Sequence, residues 1–183
     1  MKTATLLACA AALTLNACND AQDEVPPTSA NAAQAAGDQS LAAGLSGNAR
    51  FAAAVKAAGL EGVLAGPTPY TLIVPSDAAF DKLPAGTLDT LMKPEGRAQL
   101  TAVLTNHILP GTMMAADIAK AIDSGGGRTQ IATLGGGTLT ATRDGDVVVI
   151  SDAAGTRARV SSADGARSNG VIHVIDAVLL PAK

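Results

Sequence analysis

The sequence predicts a mixed helix-and-strand domain, and three observations carry that expectation. Apolar residues recur at helical spacing across Asn48 to Leu64 and again from Pro94 to Ile108. A β-branched run, Tyr70 to Pro75, lies between them, and the C-terminal half holds strand-like segments around an Asp-Gly dipeptide. The last run, Val171 to Leu180, carries apolar residues on both alternating faces, the pattern of a strand covered on both sides.

The first residues read as an export signal. Met1-Lys2-Thr3 gives a short positive start, and Ala4 to Leu15 is an almost unbroken apolar run. A transmembrane helix needs roughly 20 apolar residues, and Asn16, Asn19 and Asp20 interrupt well before that length. Leu15-Asn16-Ala17-Cys18 resembles a lipoprotein box, with leader 1–17 removed and Cys18 acylated. Leu6-Leu7-Ala8-Cys9 has similar letters but leaves too short an apolar run behind Lys2. Residues 18–39 then form the lipidated cysteine and a tether. That stretch is rich in Ala, Asn, Asp, Gln and Pro, with Val25 its one strongly apolar residue, so burial cannot offset the entropy of ordering it. As a flexible coil it spans about 25 Å. With Cys18 acylated and Cys9 removed, the domain at 40–183 has no thiol for a disulfide, a nucleophile or a metal site.

Within the domain, Phe51, Val55, Ala58 and Gly59 fall on one helical face, closing on Leu60, Val63 and Leu64. Gly66-Pro67-Thr68-Pro69 halts helix before the Tyr70 strand. Ser76 and Asp77 follow as helix-capping residues ahead of Ala78-Ala79-Phe80. Pro94 can open a second long helix in which Leu100, Val103, Leu104, His107 and Ile108 share a buried face, ending at Pro110-Gly111. Gly125 to Gly127 marks a loop. Thr138 to Arg143 and Asp146 to Ser151 then flank Asp144-Gly145, a hairpin dipeptide suited to two positive-φ turn positions. His173 and Asp176 lie on opposite faces of the last strand.

These residues also resemble a known family. Tyr70-Thr71-Leu72-Ile73-Val74-Pro75-Ser76-Asp77-Ala78-Ala79-Phe80 is similar to the first signature of the fasciclin domain family, and Gly170 to Pro181 is similar to its closing signature. Leu83 to Leu88 and Asn106 to Gly111 look like landmarks between them, and the resemblance covers essentially Ser40 to Lys183. It implies a single α+β domain, a wedge of two β-sheets with a helical layer, in a secreted or surface protein that acts in adhesion rather than catalysis. Some members use a Tyr-His pair and neighbouring apolar residues as an adhesive surface. The matching positions, and so the candidate interaction residues, are Asn106, His107, Ile108 and Leu109; the Tyr is replaced by a small amide. Ser76, Asp77, Phe80 and His173 match as structural signature residues.

Other chemistries fit the pattern less well. A hydrolase would pair Ser76 and Asp77 with His107 or His173, but Ser76 is better explained as a helix cap, and a histidine on an apolar face is more often a bonded core group. The histidine and aspartate spacing suits no usual metal set. The glycine runs are followed by neither Lys-Ser nor Lys-Thr, so they read as turns rather than phosphate loops. Arg143-Asp144-Gly145 is only a permuted integrin tripeptide. No cofactor is implied. The formal charge of -3, scattered basic residues and 2% aromatic content argue against a nucleic-acid partner. The expectation is a non-catalytic module held at a bacterial membrane through lipid, facing the periplasm or the exterior and contacting a protein or polysaccharide. A carrier of small apolar molecules, in a cleft between sheets and helices, is the alternative.

Overall fold

The structure, a computed structural model, describes residues 39–181. The expected leader, Cys18 and nearly all of the expected tether lie outside the described residues. The chain begins with a short 3₁₀ turn, Ala43–Gly47, followed by α1, Ala49–Ala58, and α2, Glu61–Ala65. The single helix expected from Asn48 to Leu64 is therefore two. Gly59 takes φ 75°, and Leu60 N–H reaches back to Val55 O at 3.0 Å, a left-handed stop that satisfies the carbonyls at the end of α1.

β1, Tyr70–Pro75, leads into α3, Asp77–Phe80, and α4, Thr87–Met92. The second expected long helix is shorter than its periodicity suggested. Pro94–Gly96 is a 3₁₀ turn, α5 covers Arg97–Asn106, and His107 is its C-cap. Strand pairing ends it: Ile108–Pro110 is β2, antiparallel to β1, and Ile73 N–H donates to His107 O at 2.9 Å. Helix α6, Ala115–Ser124, follows, then β3, Arg128–Ala132, β4, Thr138–Asp144, β5, Val147–Ser151, β6, Arg157–Arg167, and β7, Gly170–Ile175. The last strand stops at Ile175 rather than Leu180, because Asp176 turns aside and bonds Arg159, its N–H donating to Arg159 O and its Oδ1 accepting from Arg159 N–H.

The expected β4–β5 hairpin forms one residue out of place. Asp144 pairs with Val147, so Gly145 and Asp146 make the loop. Only Gly145 has positive φ, 62°, which is the requirement of a turn with glycine at its first central position.

The seven strands run β2-β1-β7-β6-β5-β4-β3, with β1 and β7 parallel and every other pair antiparallel. The two expected sheets are thus joined through one strand. The first part of β6, Arg157 to Arg159, pairs with β5, and Val160 to Arg167 pairs with β7. Register shifts at Val160/Ser162 and Ser162/Gly165 bend it between the halves, and Asp164 in this stretch adopts φ 57°. The far edges also meet, Leu134 N–H donating to Ile108 O at 2.8 Å.

Two hydrophobic cores result. Leu72 and Val74 of β1, Ile108 of β2 and Ile172 of β7 face helices α1, α3 and α5. Ile73, Leu109 and Ile175, on the opposite face, meet β4, β5 and α6. The β2-β1-β7 layer is covered on both sides, as the final apolar run implied. The described residues contain no cysteine, so these cores carry the stability, each fully buried Leu or Ile contributing roughly 1.5–3 kcal/mol.

Candidate functional site

The chemistry-bearing residues lie in seams between elements. His107, at the end of α5, is fully buried, with its ring edge-on to Phe51 at a centroid distance of 6.1 Å. Its Nε2 accepts from the backbone N–H of Leu179 at 3.1 Å, and because that donor cannot accept, the ring proton belongs on Nδ1, which donates to Val103 O at 2.9 Å. Burial pushes the imidazole down to about 4, while the Val103 bond and the Asp152 carboxylate pull weakly the other way. His107 is a neutral cross-link. Asp152 completes the fastening of the C-terminal segment: its Oδ2 accepts from Leu180 N–H and its Oδ1 from Thr156 N–H, both at 2.8 Å.

His173, on β7, forms a second seam. Its Nδ1 accepts from Asp164 N–H at 3.2 Å, so Nε2–H donates to Met113 O at 2.8 Å. Asp164 in turn accepts from Ala115 N–H at the start of α6, at 2.7 Å. Thr71 accepts from Met113 N–H and donates to Gly111 O, both at 2.8 Å. Residues 111–115 are thereby pinned to the sheet. A third seam uses Asn169, whose Oδ1 accepts from Leu41 N–H at 2.7 Å and whose Nδ2 donates to Leu64 O and Gly66 O.

Ser76 accepts from Ala79 N–H at 3.2 Å, the cap its position suggested. Asp77 does more than acidify that helix start. Its Oδ1 accepts from Arg50 N–H at 3.1 Å, supplying α1 with a cap that Asn48 does not provide. Phe80 belongs to the first core. A Ser/His hydrolase would need an imidazole nitrogen facing Ser76, yet all four nitrogens of the two histidines are engaged elsewhere.

The candidate interaction residues require a correction. Asn106, His107, Ile108 and Leu109 are 3%, 0%, 1% and 0% exposed. The switch from α5 to β2 directs Ile108 into one core and Leu109 into the other, and Asn106 Oδ1 accepts from Thr133 Oγ1 beneath the 133–137 turn. These four side chains pack the interior and offer a partner no face. The signature resemblance marked them as a unit; it could not show which way they point.

Open concavities lie elsewhere. One, about 390 Å³, is lined by Arg50, Asp81, Leu83, Pro84 and Asp89; another, about 290 Å³, by Asp144, Arg157, Arg159 and Asp176. An apolar cleft of about 10 Å³ beneath α4 is lined by Phe51, Leu88, Leu91, Leu100 and Leu104. It is far smaller than the roughly 300–1,000 Å³ of ligand pockets. Sequence reading missed Asp152, Asp164 and Asn169, whose partners are 28, 49 and 128 residues away.

This arrangement defines a β-wedge domain whose histidines, serine and aspartates secure the fold. Residues 46–181 match the family model for the Fasciclin domain. The chain belongs to the fasciclin domain family. It is 40% identical over 167 residues to Protein sll1483 of Synechocystis sp., covering 88% of this chain and 85% of that protein. It is 38% identical over 130 residues to transforming growth factor-beta-induced protein ig-h3 of Sus scrofa, 70% of this chain but 17% of the relative. Against immunogenic protein MPB70 of Mycobacterium bovis the identity is 34% over 112 residues, 61% of this chain and 50% of that one. A solved FAS1 domain pair from the insect cell adhesion molecule Fasciclin I superposes with TM-score 0.57 at 22% identity, over 73% of this chain and 45% of that chain. That likeness shows the fold. Among the described residues, no helix is long and apolar enough to cross a membrane.

Proposed function

We propose that this chain is a non-catalytic, lipid-anchored fasciclin module that holds a protein or polysaccharide partner in the bacterial periplasm or at the cell surface. The observation that carries this reading is the use of Ser76, Asp77, His107 and His173 as cross-links within the fold, which leaves the exterior as the functional part. The family match supports it, as does the adhesion role stated for the insect molecule whose domains share the fold. Membrane attachment through Cys18 rests on the lipoprotein-like segment Leu15 to Cys18.

The reading is tested by immobilising the protein without its leader and measuring retention of envelope polysaccharide and matrix proteins, beside a control domain matched in charge and area. Saturable retention above the control is expected; none would remove the adhesive function. The anchor has its own check. Cys18→Ser should abolish incorporation of labelled fatty acid and release the protein from membranes, because a single chain on another residue binds bilayers only marginally. Labelling that survives the substitution would place the anchor elsewhere.

A further inference from the structure

The third seam is built on the one Asn-Gly dipeptide in the sequence, Asn169-Gly170. Asn169 lies in the link between β6 and β7 and is buried. Both ends of its amide are held: Oδ1 accepts from Leu41 N–H at 2.7 Å, and Nδ2 donates to Leu64 O at 2.8 Å and to Gly66 O at 2.6 Å. The main chain is tied as well, Asn169 O accepting from Tyr70 N–H at 3.2 Å and Gln39 O from Ser168 N–H at 3.0 Å. Gly170 is fixed by space, because a Cβ there would lie 1.9 Å from Tyr70 O.

The fold thus requires both residues, yet side by side they form a labile pair. In an unconstrained chain the backbone nitrogen after an asparagine can attack the side-chain carbonyl carbon, and glycine, with no side chain and the freest backbone, hinders that attack least. The nitrogen of Gly170 bonds to Cγ of Asn169, the Cγ–Nδ2 bond breaks, and Nδ2 leaves as ammonia with the proton from the Gly170 N–H. Water then opens the cyclic imide at either carbonyl, giving an aspartate or its β-linked isomer, with no change of oxidation state. Closing the ring requires the amide to turn onto its own main chain, away from Leu41, Leu64 and Gly66, so the three hydrogen bonds of the seam oppose it.

We propose that Asn169-Gly170 is a masked deamidation site: the amide is lost only when the seam to residues 41, 64 and 66 opens, and the product cannot close that seam again, so a transient opening becomes a permanent one. An aspartate here sets a carboxylate oxygen against the carbonyl oxygens of Leu64 and Gly66, where the amide donated to both, and burial makes that mismatch costly. The β-linked isomer adds an atom to the main chain and moves Gly170 off its register with Tyr70. This inference is independent of the adhesive reading.

The experiment incubates the protein in mildly alkaline buffer, folded and in denaturing urea, and follows residue 169 by peptide mapping with mass spectrometry that separates aspartate from its isomer. In urea, position 169 should convert to both products while Asn48 and Asn106, followed by Ala and His, stay intact. In the folded protein conversion should be at least about a hundredfold slower, because it waits on opening of the seam. At sub-denaturing urea its rate should rise in step with hydrogen exchange of the Leu41 amide, which is bonded to Asn169 Oδ1. Asn169→Asp, which supplies the product directly, should melt well below the parent or fail to refold. An intact Asn169 in urea, equal rates with and without urea, conversion that does not follow Leu41 exchange, or an Asn169→Asp melt matching the parent would each overturn the proposal.

Discussion

His107→Ala should lower stability by about 3–5 kcal/mol, read as a fall in thermal midpoint of roughly 10 °C or more. Two losses combine. The buried N–H of Leu179 is left without an acceptor, and a space the size of an imidazole opens against Phe51. Of His107 and Asp152, which bond the backbone N–H groups of Leu179 and Leu180, only Asp152 then remains. His107→Phe separates the contributions, since it restores most of the volume but neither hydrogen bond; its melt should fall between those of the parent and His107→Ala. A His107→Ala melt that matches the parent would remove the histidine from the core.

Gly170→Ala should be still more damaging, by more than about 4 kcal/mol. Gly170 sits at φ 152°, and a Cβ there would lie 1.9 Å from Tyr70 O and 3.0 Å from a Leu41 methyl. Gly170 and Tyr70 are the first register pair of the parallel β1–β7 ladder, so relieving that contact separates the central strands. Asn169, one residue earlier, would be drawn from Leu41 and Leu64 at the same time. Gly62→Ala is the matched comparison. It lies in α2, at a φ that any residue adopts and with nothing within 4 Å of a Cβ, so it should be neutral or stabilising by up to about 1 kcal/mol. Chemical denaturation of the two variants measures the contrast; equal midpoints would mean the Gly170 approach is not constrained.

What the sequence made legible follows from the range of the interactions. The Ser76 cap was readable because donor and acceptor are three residues apart. His107 was readable as interior because its 3.6-residue spacing from Leu100 and Leu104 survives even at the C-cap of the helix. Its hydrogen-bond partner, Leu179, was not, being 72 residues away. Helix α6 carries a weak sequence signal, because Ile118 and Ile122, four apart, are its only fully buried residues. Strand β6 was hidden for a physical reason: its register shifts break the two-residue alternation, and Ala158 is its only fully buried residue. The hairpin was found, but the two-letter signal could not distinguish Asp144-Gly145 from Gly145-Asp146 as the loop. The family signature located the fold and the Asn106–Leu109 segment, while burial decided what that segment does.

The same burial makes stability depend on pH. His107 binds a proton more readily unfolded, near 6.5, than folded, near 4. Its contribution of about 3 kcal/mol is therefore complete above pH 6.5, declines as pH falls, and is lost by about pH 4. Stability should rise with pH through this window, and that His107 component should vanish in His107→Phe.

The interior placement of the Asn106–Leu109 segment is tested most directly by following the His107 ring nitrogens by NMR from pH 7.5 to 3.5 in the folded protein. The expected result is a neutral ring, protonated on Nδ1 with Nε2 as acceptor, that holds until about pH 4. Titration near 6.5 with the fold intact would place the ring in water and return this segment to the surface.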